Sequence, residues 1–171
     1  MKSDNMRSFR AETGNRRWGR AQQDGIGDPY IQRRKPEGSA VCPTCGASYT
    51  DGHWTWSRYP TAGTPHPCPA CRRIDDHAPA GILTLSGAFA ASHKRELLDI
   101  VHRQEAIEKK EHPLNRIMAI NEAPDSIVVE TTDIHLPQRI AKACRRACKG
   151  ELSTHFDQDS YFVRVEWRRE H

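Results

Sequence analysis

The amino-acid sequence predicts an α+β fold in which a four-cysteine zinc ribbon is joined by a long helix to an antiparallel-sheet domain. Two Cys-x-x-Cys pairs separated by 22 residues indicate the ribbon, in residues 39–86. A strand–strand–helix–strand–strand (ββαββ) pattern indicates the sheet domain, in residues 114–169. A charged stretch with apolar residues at helical spacing predicts the connecting helix, in residues 87–113. With 171 residues, the chain is long enough for two small domains.

The first 38 residues are predicted to form a disordered basic tail. The first 40 residues hold nine Lys and Arg against five Asp and Glu, whereas the rest of the chain holds 17 of each, so the net charge of +4 lies at this end. Arginines alternate with Phe9, Trp18 and Tyr30, which suits RNA because guanidinium groups bind phosphates and rings stack on bases. A solvated tail that keeps the protein soluble is the alternative. The candidate RNA-binding residues of the tail are Arg7, Arg10, Arg16, Arg17, Arg20, Arg33, Arg34 and Lys35.

The cysteines of the two pairs, Cys42, Cys45, Cys68 and Cys71, are expected to bind one structural zinc ion. Each pair turns two sulfur atoms toward one point, and two facing pairs form the tetrahedral thiolate site that zinc accepts. The segment around them is rich in Gly, Pro, Ser and Thr, so a metal has to supply its folding free energy. A site closed by four sulfur atoms has no position for a reactive water, and we expect it to be non-catalytic.

Other roles for these cysteines fit the pattern less well. A redox pair of the thioredoxin type needs a βαβ context, which the predicted elements do not provide. Four thiolates can also hold an iron–sulfur cluster. His53 and His66 lie between the two pairs and could compete as ligands, although four cysteines already satisfy a zinc ion.

A helix is predicted over residues 91–112, with Ser92 as its N-cap and Pro113 ending it. Its apolar side consists of Leu97, Leu98, Val101 and Ile107. Strands are predicted at 116–121, 126–131, 151–156 and 161–167, with a turn at 123–125. In the last strand, Tyr161, Val163, Val165 and Trp167 share one face.

A second helix is predicted from a cap at Asp133 to about Cys148, with Gly150 following its end. Its buried side is predicted to be Leu136, Ile140, Ala143, Cys144 and Ala147. We interpret Cys144 and Cys148, one turn apart, as buried structural thiols rather than a second metal site. The same helix carries a basic cluster that could bind phosphates or could be an ordinary solvated face: Arg139, Lys142, Arg145 and Arg146.

No apolar run approaches the ~18 residues of a membrane span, and the first 30 residues lack the apolar core of a secretory signal. These observations predict a cytoplasmic protein without a membrane partner. Five histidines outside the cysteine module suggest a metal-dependent hydrolase as a weak alternative, but none lies in an H-E-x-x-H spacing. They are His93, His102, His112, His135 and His155.

Parts of the chain resemble two groups of known proteins. Small bacterial zinc-ribbon proteins are resembled by residues 85–89, by His93 and Glu96, and by the run His112-Pro-Leu-Asn-Arg-Ile117. Residues 126–143, in particular the helix start at Thr132 and Asp133, are similar to the core of the Nmd-three proteins, adaptors that bind the large ribosomal subunit. The resemblance covers roughly residues 40–169 and implies binding to ribosomal RNA or a ribosomal subunit. It does not extend to the second cysteine set, the further domains or the export signals of that family.

These observations favour a non-catalytic zinc-ribbon protein that binds RNA, most consistently ribosomal RNA or a ribosomal subunit, and no small-molecule substrate. The runner-up is a module that binds another protein or regulates it, for which exposed Trp54 and Trp56 would supply the anchors.

Overall fold

The computed structural model describes residues 26–33, 35–56 and 63–171, which contain two β-sheets. A short helix, α1 (Pro29–Gln32), precedes the first sheet and begins at Asp28, whose carboxylate accepts a hydrogen bond from the Tyr30 N–H. The prediction of a disordered tail up to residue 38 is therefore wrong for this segment. Asp28 forms a buried ion pair with Arg73, 45 positions away in the sequence, and composition cannot reveal a partner at that distance.

The first sheet has four short strands in the order β3-β2-β1-β4. They are β1 (Ala40–Val41), β2 (Ser48–Thr50), β3 (His53–Thr55) and β4 (Thr64–Pro65). Strands β1 and β4 are parallel, and the other two pairs are antiparallel. Helix α2 (Pro69–Asp75) follows β4. This cysteine module is small because its interior is built from cysteines and alanines rather than aliphatic side chains.

The second sheet has five strands in the order β6-β7-β5-β9-β8. They are β5 (Gly81–Ser86), β6 (Ile117–Ala123), β7 (Ser126–Thr131), β8 (Glu151–Phe156) and β9 (Val163–Arg168). The α+β class is confirmed, but the sheet is not wholly antiparallel, since β5 runs parallel to β9.

Strand β5 also corrects the domain boundary predicted at residue 86. It follows the cysteine module in the sequence, yet it pairs along its whole length with β7 on one side and β9 on the other. Leu83 and Leu85 are completely buried in the centre of the second sheet. The sheet domain therefore begins at β5. The predicted ββαββ pattern supplies the other four strands, and β5 lies in the centre of the sheet.

Two helices follow β5: α3 (Ala88–Ser92) and α4 (Lys94–Glu111). The predicted cap at Ser92 is wrong, because its hydroxyl donates back to the carbonyls of Ala88 and Phe89 and His93 occupies the cap position of α4. Helix α4 was predicted only to connect the two domains. It also packs beside the last helix and contributes to the sheet-domain core. Its buried apolar residues are Leu97, Ile100 and Val101, whereas the predicted Ile107 is 55% exposed.

Helix α5 (Leu136–Cys148) covers the sheet. The predicted role of Asp133 is confirmed, because its carboxylate accepts hydrogen bonds from the N–H groups of His135 (2.7 Å) and Leu136 (3.0 Å). Four of the five residues predicted for its buried side are buried, but Ala147 is exposed and Cys148 is buried in its place. Cys148 follows Cys144 by four positions, so the two side chains lie on the same face of the helix.

The final hairpin, β8–β9, follows the predicted alternation. Val163, Val165 and Trp167 are buried, and the residues between them are exposed. Gly150 has φ +90°, and a Cβ there would lie 2.8 Å from the carbonyl oxygen of Arg168, so only glycine fits this entry to β8. Within the described part of the chain, no helix has the length and apolar character needed to cross a membrane.

Candidate metal centre and nucleic-acid interface

The four predicted cysteines converge on one point. The sulfur atoms of Cys42, Cys45, Cys68 and Cys71 all lie within 4.8 Å of one another. Three of these residues are buried and Cys45 is half-buried. In residues 26–33, 35–56 and 63–171, no other group of three or more His, Cys, Asp or Glu side chains converges in this way. The cluster can therefore hold one metal ion, and the donor set of four thiolates is the one that zinc accepts in structural sites.

The two pairs are presented by different local structures. In the first, the Cys42 N–H donates to the Ala47 carbonyl at 2.8 Å and the Gly46 N–H donates to the Cys42 carbonyl at 2.9 Å. Gly46 has φ +77°, which closes this tight knuckle. The second pair lies at the start of a helix. Cys68 is the N-cap of α2, and Cys71 lies in its first turn with its N–H 3.4 Å from the Cys68 sulfur.

Arg116 completes the surroundings of the cluster. Its guanidinium Nη2 lies 3.2 Å from the sulfur of Cys68 and 3.3 Å from that of Cys71. Two hydrogen bonds to Thr132 hold the backbone of Arg116. The Arg116 N–H donates to the Thr132 hydroxyl at 2.9 Å, and the Thr132 N–H donates to the Arg116 carbonyl. Because four thiolates around a divalent cation carry a net charge of about −2, a buried guanidinium beside them offsets part of it.

Sequence reasoning missed this arginine as a site residue. Arg116 is 45 to 48 positions from the cysteines that it contacts, and periodicity placed it in a strand. The signal available was its place in the His112–Ile117 run that resembles other zinc-ribbon proteins.

The cysteine thiols of the cluster shift one another's pKa values. The pKa of Cys45 is lowered, chiefly by the hydrogen bond between its sulfur and that of Cys68, which are 3.7 Å apart. The same hydrogen bond, together with burial, raises the pKa of Cys68. Protons shared between sulfur atoms are what a bound cation displaces, so metal binding here is expected to release protons.

Neither histidine near the cluster is one of its members. His53 is exposed, and the ring of His66 stacks against that of Trp54 with centroids 6.5 Å apart. Trp54 is half-buried against the cysteine cluster, which corrects its predicted exposure. Trp56 is 37% exposed, and its indole N–H donates to the Lys109 carbonyl.

The basic residues predicted on α5 come together in one groove. Arg139, Lys142, Arg145 and Arg146 line it together with Gln104 of α4 and His135, and its volume is about 540 Å³. Arg139 pairs with Glu108 at 2.9 Å. Desolvation and the charge of Arg139 lower the pKa of His135, so the positive charge at neutral pH comes from the arginines and the lysine. We call this the cationic groove.

The tail residues predicted to bind RNA are only partly within the described ranges. Arg7, Arg10, Arg16, Arg17, Arg20 and Arg34 lie outside them, as do Phe9 and Trp18. Arg33 and Lys35 are exposed. Tyr30, predicted to offer a ring to bases, is instead used internally, because its hydroxyl donates to Asp76 at 2.9 Å and its ring lies 4.2 Å from the Arg73 guanidinium.

Cys144 and Cys148 are buried and not bonded to each other, as predicted. Burial raises the pKa of Cys144 to about 12, and the Cys148 thiol lies 3.6 Å from a carboxylate oxygen of Glu96. Both thiols are therefore protonated parts of the sheet-domain core.

No protein-family model, curated protein or solved structure matches this chain.

Proposed function

We propose that this protein binds RNA through the cationic groove of α5 and that a zinc ion on the four cysteines holds the neighbouring surface rigid. The observation that carries the proposal is the convergence of Arg139, Lys142, Arg145 and Arg146 on one groove. Clustered guanidinium and ammonium groups in a concave surface suit the closely spaced phosphates of a nucleic acid. The basic N-terminal segment adds to this charge.

Zinc is the metal that we propose for the cluster. Four soft thiolates disfavour hard cations such as Mg²⁺ and Ca²⁺, and no water position is left in a tetrahedral site filled by sulfur. The ion would therefore have a structural role. Its loss would free the first knuckle and the start of α2, because the module has few aliphatic contacts to replace it.

Ribosomal RNA, free or in a subunit, is the RNA that we propose. The support is the similarity of residues 126–143 to the Nmd-three core. In this chain the similar stretch contains Asp133, which caps α5, and the first residues that line the groove. The likeness therefore falls on the element that presents the positive charge.

The first prediction concerns two exposed groove residues. Replacing Lys142 and Arg145 with Gln (K142Q/R145Q) should weaken RNA binding and lower the slope of log affinity against log salt by about 1.4, since each phosphate contact on a single strand contributes about 0.7. Fluorescence anisotropy with a labelled ribosomal RNA fragment, repeated between 50 and 200 mM salt (about fourfold), measures both quantities.

A matched control removes equal charge elsewhere. Arg103 and Lys109 are exposed residues of α4 that do not line the cationic groove, and R103Q/K109Q should leave the slope nearly unchanged. Equal losses in the two double variants would mean that only the total charge matters, which would contradict the proposed site.

A further inference from the structure

A second cavity, of about 400 Å³, adjoins the cysteine module and has mostly apolar walls. One wall is formed by Tyr49 and Trp54, cross-strand neighbours whose ring centroids are 5.4 Å apart. A second wall is the segment after α4, including Leu114 and Asn115. We call it the aromatic pocket. Its volume lies within the range of about 300–1,000 Å³ that is usual for sites taking small organic groups.

Two residues of the aromatic pocket pack on the small core around the metal ligands. Trp54 and Leu114 both contact the buried cluster that contains Cys42, Cys68 and Cys71 together with two alanines. Arg116 ties the second wall to the sulfur atoms of Cys68 and Cys71. With a metal bound, this cavity would be preformed rather than assembled by its occupant.

A single carboxylate, that of Glu108, bonds to one lining residue of the aromatic pocket and to one of the cationic groove. One oxygen of Glu108 accepts from the Asn115 side chain at 3.2 Å, and Asn115 lines the aromatic pocket. Its other oxygen pairs with Arg139, which lines the cationic groove. Because the Glu108 side chain is 5% exposed and both its oxygens are engaged, it links the two sites without presenting a repulsive charge on the surface.

We infer that the aromatic pocket receives an unpaired base of the RNA whose phosphates lie in the cationic groove, so that the ligand is single-stranded at this point. This inference rests on the proposed function. A double helix keeps its bases stacked inside, and they cannot reach a pocket beside the backbone. Single-stranded RNA offers both of the required chemistries, because its phosphates are anionic and every base has a face that stacks on an aromatic ring.

Charge complementarity and continuity with the groove favour this occupant. An apolar peptide side chain could enter the aromatic pocket, but its chain would gain nothing from the arginines next to it. Lys35 lines the aromatic pocket and adds a further cation there, which a phosphate next to the bound base can meet.

The test compares two RNA-like ligands on the full-length, zinc-loaded chain. One is a labelled 12-nucleotide oligouridine, and the other is an abasic strand of the same length with all its phosphates. Fluorescence anisotropy should show that the oligouridine binds about 5- to 150-fold more tightly, as expected for one or more stacked bases. Equal affinities would overturn the inference but leave the proposed function standing. If neither strand binds at low salt, the proposed function fails as well.

Two variants assign the effect to the pocket. Trp54→Leu keeps apolar contact with the cysteines but removes the ring, and it should abolish the preference for oligouridine without changing abasic binding. Trp56→Leu is the matched control, since Trp56 lies two residues on and does not line the pocket; it should keep the preference. Retention of the full preference by Trp54→Leu would contradict the inference.

Crosslinking of the wild-type chain provides a readout that does not depend on variant folding. After irradiation with a 4-thiouridine oligonucleotide, mass spectrometry should find adducts within residues 49–54 or 112–115. Adducts confined to α5 or to residues 1–25 would instead show that the bases bind elsewhere, and the inference would be wrong.

Discussion

Arg116 contacts both the cysteine cluster and the sheet domain. Its side chain donates to two sulfur atoms, while its backbone N–H and carbonyl bond to Thr132, which directly follows β7. The hydroxyl of Thr132 also donates to the Leu114 carbonyl, so the segment from Leu114 to Arg116 is held at both ends. Metal binding should therefore be sensitive to a residue that provides no metal ligand.

The prediction at this scale is that Arg116→Met lowers zinc affinity by about 10- to 100-fold, the usual effect of removing a partner of a metal ligand. Met keeps much of the side-chain volume but cannot donate to sulfur. Competition with a chromogenic chelator measures the affinity. Arg168→Met, in which an exposed arginine is replaced, is the control and should match the wild type. An unchanged affinity in R116M would show that Arg116 does not support the thiolates.

At the scale of elements, α1 is fastened to α2 by charge rather than by apolar packing. The ion pair between Asp28 and Arg73 is 2.6 Å long, with side chains that are 7% and 5% exposed. Arg73 also donates to the Ala78 carbonyl and lies over the Tyr30 ring. Residues 26–33 thus belong to the folded unit, although their composition is that of a disordered segment.

We predict that Asp28→Asn destabilises the protein by about 3–5 kcal/mol, because it leaves a buried guanidinium without its counter-charge. Asn retains an oxygen that can cap α1, so the loss reports the ion pair. Urea denaturation at a fixed excess of zinc measures it. Glu170→Gln breaks the exposed pair with Arg168 and should leave the stability nearly unchanged. Similar small losses in both variants would mean that α1 is not part of the folded unit.

Sequence patterns predicted where the helices and strands lie better than they predicted which strands pair with each other. The alternation of Val163, Val165 and Trp167 identified β9, because a half-buried strand repeats every two residues. Strand β5 lies at the end of the segment assigned to the ribbon, and no local pattern could show that it pairs with β7 and β9. Strand order depends on contacts between distant residues, which leave no local pattern. Parallel pairing of β5 and β9 was missed for that reason.

The candidate site was predictable to a similar degree. Four cysteines at matching spacing identified the metal cluster, because the ligands are chemically unusual and their spacing is constrained. The basic side of α5 was also evident from helical spacing. The aromatic pocket was not, since Tyr49, Trp54 and Asn115 come from separate segments and are ordinary residues within each of them.

At the scale of the whole molecule, the metal cluster, the aromatic pocket and the cationic groove form one connected arrangement. The cysteines support the walls of the pocket, and Glu108 links the pocket to the groove. If the cluster holds zinc as proposed, the ion would affect RNA binding through the shape of the pocket, although four thiolates leave it no open coordination position. Removing zinc with a chelator would disturb the pocket first and leave the groove on α5 largely intact.

The central claim, that the protein binds ribosomal RNA in its native setting, is tested most directly by sedimentation of a cell extract at low salt. The account predicts co-migration of the protein with ribosomal particles, release as the salt concentration rises, and loss of co-migration for K142Q/R145Q but not for R103Q/K109Q. Sedimentation of the wild-type protein entirely at the top of the gradient at low salt would contradict it.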